Sequence, residues 1–232
     1  MNEINAEARE RYYAEASLKP SKAGVAPQPQ EDGYLPVDWN GSRLCRLTAN
    51  GGVQYREEHM GRSGGREALD RVIDIAGTTA EYMRCMESAS VLHAEKLGGG
   101  YTLLSEYNGI VFAGKTNKQF GCEFVTWERT HDNKGVTVGN YIEDYKKAKQ
   151  DFAVRARLIP REMVFTAEQL TDLFRCCKQT LENPGSRFTY DDEERIRGIQ
   201  EQIERLSPGI QERTEALEAQ AQEQQSQAQT MY

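Results

Sequence analysis

Short apolar runs separated by turn sequences occupy much of this chain. Residues 34–56 contain three such runs, divided by Asn-Gly and Gly-Gly pairs, a punctuation typical of short antiparallel strands. Residues 101–107 and 110–115 flank another Asn-Gly pair, which predicts a β-hairpin. Residues 122–130 and 136–141 flank the sequence DNKG, which predicts a second hairpin.

A second pattern, with apolar residues every three or four positions, predicts amphipathic helices over residues 69–83, 142–156, 166–181 and 191–206. Gly77 lies within the first of these, directly before a capping-box pattern made by Thr78 and Glu81, so we predict a break there. Asn140 and Glu143 have the spacing of a cap at the start of the second helix.

These elements predict an α+β fold in which antiparallel β-hairpins pack against helices, with an acidic helix at the C-terminus. Residues 19–32 are rich in Pro, Ala and Gln, which is typical of a linker. We therefore expect residues 1–33 to form a flexible N-terminal arm and linker, and residues 34–186 to form the α+β domain. Residues 187–232 are expected to form the acidic helix and a low-complexity, frayed tail.

The net charge of −7 is concentrated near the C-terminus, where residues 191–223 hold ten Asp and Glu against four Arg. The rest of the chain is close to neutral, which argues against nucleic-acid binding. No apolar stretch approaches the roughly 18 residues of a membrane span, and the acidic N-terminus lacks the apolar region of a secretory signal. We expect a cytoplasmic protein without membrane contact.

The five cysteines form an odd number without the spacing of a disulfide framework or a metal site, so we expect reduced, packed thiols and no metal or cofactor. The local set that resembles a thiol nucleophile with its base is Cys122, His131 and Asp132. In the hairpin interpretation, Cys122 and His131 lie at opposite ends of one strand, about 30 Å apart. We predict no catalytic residue, although pairing of Cys122 with His59 or His93 stays open.

Residues 109–116 (GIVFAGKT) match the phosphate-loop pattern of nucleotide hydrolases, in which the nucleotide-binding residues would be Gly109, Gly114, Lys115 and Thr116. The four positions between the glycines hold stiff or apolar side chains that favour an extended backbone. Gly121 follows too soon for the helix whose N-terminus would hold phosphate. We interpret this match as the second strand of the hairpin, with a nucleotide-handling enzyme as the alternative.

A glycine-rich loop over residues 61–66 precedes the first predicted helix and offers free backbone N–H groups and two guanidinium groups to an anion. The anion-binding candidates are Arg62, Ser63, Gly64, Gly65 and Arg66. The alternative is a flexible loop in which Ser63 caps the helix. An enzyme that handles phosphate would use this loop or Lys115.

The last predicted helix has apolar residues at the spacing of a coiled-coil seam. These partner-binding candidates are Ile196, Ile199, Ile203 and Leu206. Two heptads are short for a free coiled coil, so we expect the seam either to dock on its own domain or to pair with another chain. A protein partner or a second copy would bind through this helix or through an exposed sheet face.

Three blocks carry a resemblance to a known group: EYNGIVFAG (residues 106–114), EFVTWERTHDNKGVTVGNYI (residues 123–142) and DYKKAKQDFAVRARLI (residues 144–159). In these blocks the chain resembles small uncharacterised accessory proteins of bacterial conjugative transposons and other mobile elements. The resemblance implies a bacterial setting and a role in element maintenance, transfer or evasion of host defence. It carries over no catalytic residue.

The sequence therefore favours a non-enzymatic, protein-binding accessory protein of a mobile genetic element. One alternative is the phosphate- or nucleotide-handling enzyme described above. Another is a nucleic-acid-associated regulator, against which the charge distribution argues.

Overall fold

The computed structural model describes residues 6–18, 24–61, 63–117, 121–185 and 187–230, with residues 221–230 described as backbone. The helices in this part of the chain are α1 (Ala6–Leu18), α2 (Gly65–Ser88), α3 (Tyr145–Arg155), α4 (Ala167–Glu182), α5 (Tyr190–Leu206) and α6 (Ile210–Thr230). The strands are β1 (Val25–Pro27), β2 (Leu35–Trp39), β3 (Ser42–Leu47), β4 (Val53–Tyr55), β5 (Thr102–Tyr107), β6 (Ile110–Asn117), β7 (Gly121–Arg129) and β8 (Val136–Ile142). The predicted α+β class is confirmed. Each of the described helices is too short or too polar to cross a lipid bilayer.

The chain divides into two compact units, Met1–Ile159 and Pro160–Tyr232. This division differs from the expected boundaries after residues 33 and 186. The N-terminal unit contains both sheets with α1, α2 and α3, and the C-terminal unit contains α4, α5 and α6. The predicted acidic helix is therefore one of three helices in a unit of its own.

The first sheet has the antiparallel order β1-β2-β3-β4 and packs against α1 and α2. In α1, Tyr12 and Tyr13 are buried, and the Tyr13 hydroxyl donates to the carbonyl oxygens of Gly33 (2.8 Å) and Leu47 (3.1 Å). Residues 6–18 therefore form a packed helix, and the expectation of a flexible arm is wrong for them. The expected linker contributes β1, which pairs with β2, while residues 19–23 lie outside the described residues.

The second sheet has the antiparallel order β5-β6-β7-β8, so both predicted hairpins are confirmed. Asn108 (φ +49°) and Gly109 (φ +72°) form the first turn, and Asn and Gly adopt such left-handed backbone most readily. Aromatic side chains cover the face toward α2 and α3, where the Tyr82 ring centroid lies 5.1 Å from that of Phe124. Phe112 packs in the same cluster.

The opposite face of this sheet is covered by the segment between α2 and β5. Leu92 and Tyr101 from that segment pack against Val111, Val125 and Trp127 of the sheet. The Tyr101 and Trp127 ring centroids are 4.9 Å apart. The central apolar residues of both faces are therefore covered within the chain, whereas Tyr107, Val138 and Tyr141 on the edge strands are exposed. Partner binding through this sheet stays a prediction.

Three helix boundaries differ from the sequence predictions. Helix α2 continues through Gly77, because the buried residues beyond it offset a glycine cost of about 1 kcal/mol. Helix α3 is capped by Asp144, whose side chain accepts from the Lys147 N–H, whereas Asn140 lies in β8. Helix α6 reaches Thr230, where a frayed tail was expected.

Candidate functional site

The GIVFAGKT segment is a strand, as its stiff side chains predict. It pairs with β7 from Ile110 to Asn117, so its backbone groups belong to the sheet and form no phosphate cradle. Gly114 packs closely, since a Cβ there would lie 3.2 Å from Met86 Sδ. Lys115 Nζ lies 5.2 Å from the centroid of the Tyr101 ring. The four candidate nucleotide-binding residues are thus not arranged for a nucleotide phosphate.

The glycine-rich loop leads directly into α2, as predicted. Gly64 is the N-cap residue with φ +83°, and no side chain caps this helix end, so the alternative role of Ser63 as cap is wrong. A Cβ on Gly65 would lie 3.1 Å from the Met60 carbonyl oxygen, so close packing explains why this position holds glycine. Arg66 is exposed, and Arg62 lies outside the described residues. Anion binding by this loop stays a prediction.

The candidate thiol, Cys122, is buried at the start of β7. Its backbone N–H donates to Oε1 of Glu15 at 2.9 Å, and its Sγ lies 3.9 Å from Thr116 Oγ1. His131 and Asp132 follow the other end of the strand, as the hairpin interpretation requires. The structure therefore keeps this sequence-local set apart. The described residues also contain no cluster of three His, Cys, Asp or Glu side chains suited to a metal ion.

The C-terminal helical unit, which contains the partner-binding candidates, has two helices with capped N-termini. Thr166 caps α4 in a reciprocal capping box with Gln169, at the position where the sequence predicts this helix to begin. Thr189 caps α5 in the same way with Asp192. Hydrogen bonding to Thr189 lowers the pKa of the Asp192 carboxyl group below its ordinary value. The capping boxes stabilise both helix starts and fix where α4 and α5 begin.

The core of this unit is small. Its buried apolar side chains among the described residues are Phe174, Ile203 and Ile210, with Leu170 packed partly against them. A salt bridge between Lys178 Nζ and Glu218 Oε2 (2.8 Å) joins α4 to α6 at the surface. The hydrogen bond to Glu218 raises the pKa of Lys178.

The predicted seam on α5 is divided between this core and solvent. Ile203 is buried against α4 and α6, and Ile196 is half-buried. Ile199 is 45% exposed and Leu206 is 67% exposed. One of the four residues therefore fulfils the docking alternative within its own unit, while two remain exposed.

The other two helices of the unit also expose apolar residues. Leu173 on α4 and Leu217 on α6 are more than two-fifths exposed. A cavity of about 340 Å³ lies between α4 and α6, with Ala167, Thr171 and Ala216 in its lining. The periodicity of the sequence predicts the apolar faces of α4 and α5. It does not predict this groove, because a groove depends on how two helices are paired. All three helices of this unit therefore carry exposed apolar side chains.

The chain matches no protein-family model, no curated protein and no solved structure.

Proposed function

We propose that this chain is a non-enzymatic interaction protein that associates with a second copy of itself through α5. The observation that carries the proposal is the imbalance between three buried apolar residues, counted over the described side chains, and the exposed apolar residues of the same helices. Helical units below roughly 70–80 residues rarely gain enough stability from their own core, and oligomerisation is one of the common ways in which they gain more. Ile199 and Leu206 form the surface through which this association occurs.

The charges along α5 favour an antiparallel pair. Its first turn contains Asp191, Asp192 and Glu193, whereas the charges of Glu204 and Arg205 cancel in its last turn. In an antiparallel arrangement the acidic start of one helix lies beside the uncharged end of the other, and the two helix dipoles also oppose each other. A parallel arrangement would instead place the acidic turns together.

Residues near the middle of α5 meet their own copies in such a pair. Gly198 is the central residue of Tyr190–Leu206, and Ile199 follows it directly. Ile199 then lies beside the two-fold axis, where a symmetric contact places the same residue on both sides. The Leu206 residues of the two copies lie toward opposite ends of the contact.

The wider role belongs to the same proposal. The resemblance to accessory proteins of bacterial mobile elements supports a role in element maintenance or evasion of host defence. A small protein that acts by association needs no catalytic group for such a role. Deletion of the gene from its element, with transfer frequency and element retention as readouts, tests this part separately from self-association.

The direct test is the oligomeric state of the full chain. Analytical ultracentrifugation at micromolar concentrations is expected to show a dimer for the natural sequence and a monomer for Ile199→Glu with Leu206→Glu. Both positions are exposed, so the effect on the stability of one copy is expected to stay within about 0.5 kcal/mol each.

Val91→Glu is the matched control, because Val91 is an exposed apolar residue of the N-terminal unit. This variant is expected to remain dimeric. A natural chain that sediments as a monomer at about 100 µM, or a double variant that remains dimeric, contradicts self-association through α5.

A further inference from the structure

A second surface of the protein has the composition of a binding site for an anion. A cavity of about 370 Å³ lies beside β3, β4 and the short 3-10 helix Glu57–Met60. It is lined mainly by Arg43, Arg46, Gln54, Tyr55, Arg56 and His59, and we call it the basic cavity. No Asp or Glu lines it among the described residues. It combines three guanidinium groups in a protein whose net charge is negative.

Arg46 is the best-placed guanidinium in the basic cavity. Its Nε donates to Gln54 Oε1 at 2.8 Å, and its Cζ lies 4.0 Å from the centroid of the Tyr34 ring. These two contacts hold the planar group from its edge and from its face. Its Nη atoms make no hydrogen bond to a described residue, and no described carboxylate lies within ion-pair distance. A pre-positioned fork of this kind binds an oxyanion with little further loss of side-chain entropy.

The other two arginines are paired at the rim. Arg43 lies 2.8 Å from Asp38 Oδ1 and 3.7 Å from Glu31 Oε2. Glu58 Oε1 lies 3.3 Å from Arg56 Nη1 and 3.8 Å from His59 Nε2. Surface ion pairs of this kind contribute little to stability, so these guanidinium groups can reorient toward a ligand at small cost. Arg46 therefore forms the fixed contact, while Arg43 and Arg56 add adjustable positive charge.

His59 and Cys45 complete the surroundings of the cavity. Nδ1 of His59 is buried and has no hydrogen-bond partner among the described residues. A buried polar atom without a partner requires an explanation, and a bound water or ligand group beside it is one. Burial raises the pKa of the Cys45 thiol to about 12, so this residue adds no negative charge to the lining.

We propose that the basic cavity binds a small phosphate monoester. Guanidinium forks match the geometry of phosphate oxygens, and several arginines favour a dianion over a singly charged group. The ring of Tyr55 is about half exposed at the cavity and offers a surface for the organic part of the ligand. The volume is at the lower end of the range for small-molecule sites, which suits a compact metabolite.

The experiment is isothermal titration calorimetry on the full chain with phenyl phosphate as the probe. Phenyl sulfate, a singly charged analogue of the same shape, and inorganic phosphate, which lacks the ring, are titrated in parallel. We expect phenyl phosphate to bind with a Kd below about 1 mM and at least several-fold more tightly than either analogue. Arg46→Ala is expected to weaken it at least about 10-fold, and Arg46→Lys, which keeps the charge but loses the fork, several-fold.

Arg175→Ala removes one arginine from the C-terminal unit and is the charge-matched control, with an affinity expected within twofold of the natural chain. Thermal unfolding of each variant verifies that it is folded, and amide chemical shifts are expected to move around β3 and β4. Absence of phenyl phosphate binding to the natural chain overturns the proposal. Equal affinity for phenyl sulfate, or unchanged affinity in folded Arg46→Ala, also overturns it.

Discussion

Arg155 holds the carbonyl group of Val138 in a bulge of the edge strand β8. Its Nη2 donates to the Val138 carbonyl oxygen at 2.7 Å, and its Nη1 donates to the Thr126 carbonyl oxygen, also at 2.7 Å. Val138 has φ +47°, a left-handed conformation that is unfavourable for a β-branched residue. Two residues of β8, Val138 and Gly139, oppose Trp127 alone at this point. The arginine thus stabilises a strained backbone.

Val138→Gly is expected to stabilise the protein by about 1 kcal/mol, because glycine adopts a positive φ without the Cβ penalty. The side chain is exposed, so little burial is lost. Urea unfolding measures the change in the free energy of unfolding. Val136→Gly, in the same strand without a positive φ, is the control and is expected to destabilise. A loss of stability in Val138→Gly as large as in the control contradicts this explanation.

Arg155→Ala is expected to destabilise the protein by about 2–3 kcal/mol, because the hydrogen bonds from a largely buried charged group to two carbonyl oxygens are lost. Amide hydrogen exchange is expected to accelerate mainly in β8. Arg155→Lys separates charge from geometry, since an ammonium group cannot reach both carbonyl groups in the same way. Full protection of β8 in the alanine variant would show that the bulge is held by other contacts.

Gly139→Ala is expected to cost about 1–3 kcal/mol, because a Cβ there would lie only 2.4 Å from Trp127 Nε1. Trp127 is buried and must shift, so a change in tryptophan fluorescence is expected with the loss of stability. Gly98→Ala is the control, since no atom lies within 4 Å of the position that its Cβ would take. Equal stabilities of the two variants would contradict the packing argument.

Glu106 is expected to contribute a pH-dependent part of the stability. Its hydrogen bonds with Arg129 lower the pKa of its carboxyl group from the ordinary value of 4.5. A carboxyl group whose pKa is lower in the folded than in the unfolded state stabilises the protein at pH values above its unfolded-state pKa. This contribution is lost as the pH falls below about 4.

The stability difference between the natural chain and Glu106→Gln is therefore expected to be constant from about pH 6 to pH 8 and to shrink as the pH falls from about 5 to about 3. Chemical denaturation across this range measures the difference. A difference that does not change with pH contradicts the role assigned to the Glu106 charge.

Ile199→Cys is expected to form an intermolecular disulfide under mild oxidation, because Ile199 lies beside the two-fold axis of the proposed antiparallel pair. Non-reducing electrophoresis measures the cross-linked fraction. The natural chain controls for its own exposed thiol, Cys176, and Leu217→Cys controls for a new thiol on α6. Cross-linking of Leu217→Cys to the same extent would contradict the α5 interface.

Lys115→Ala is expected to leave the affinity for Mg-ATP and Mg-GTP unchanged, because Lys115 lies in a strand beside Tyr101 and faces no phosphate cradle. The loss of its contact with the aromatic ring is expected to cost no more than about 1 kcal/mol. Calorimetry with both nucleotides measures the affinity. A large drop in the variant would restore the phosphate-loop interpretation.

The sequence by itself determined the features that depend on local backbone chemistry. The turn at Asn108 and Gly109 needs two residues that tolerate positive φ, and the stiff residues between Gly109 and Gly114 exclude a loop. The cap at Thr166 needs a hydroxyl group three residues before a glutamine. Such signals act over a few residues, so they are visible without the fold.

The tertiary structure alone decided which faces are covered and which distant side chains meet. Helix α1 is anchored by Tyr12 and Tyr13, whose partners lie far along the chain, so its packing is not visible in the residues around them. Ile203 is buried while Ile199 is exposed because of where α4 and α6 pack. The basic cavity exists because β3, β4 and the following 3-10 helix converge. Burial and convergence depend on long-range packing, which a local pattern of residues does not specify.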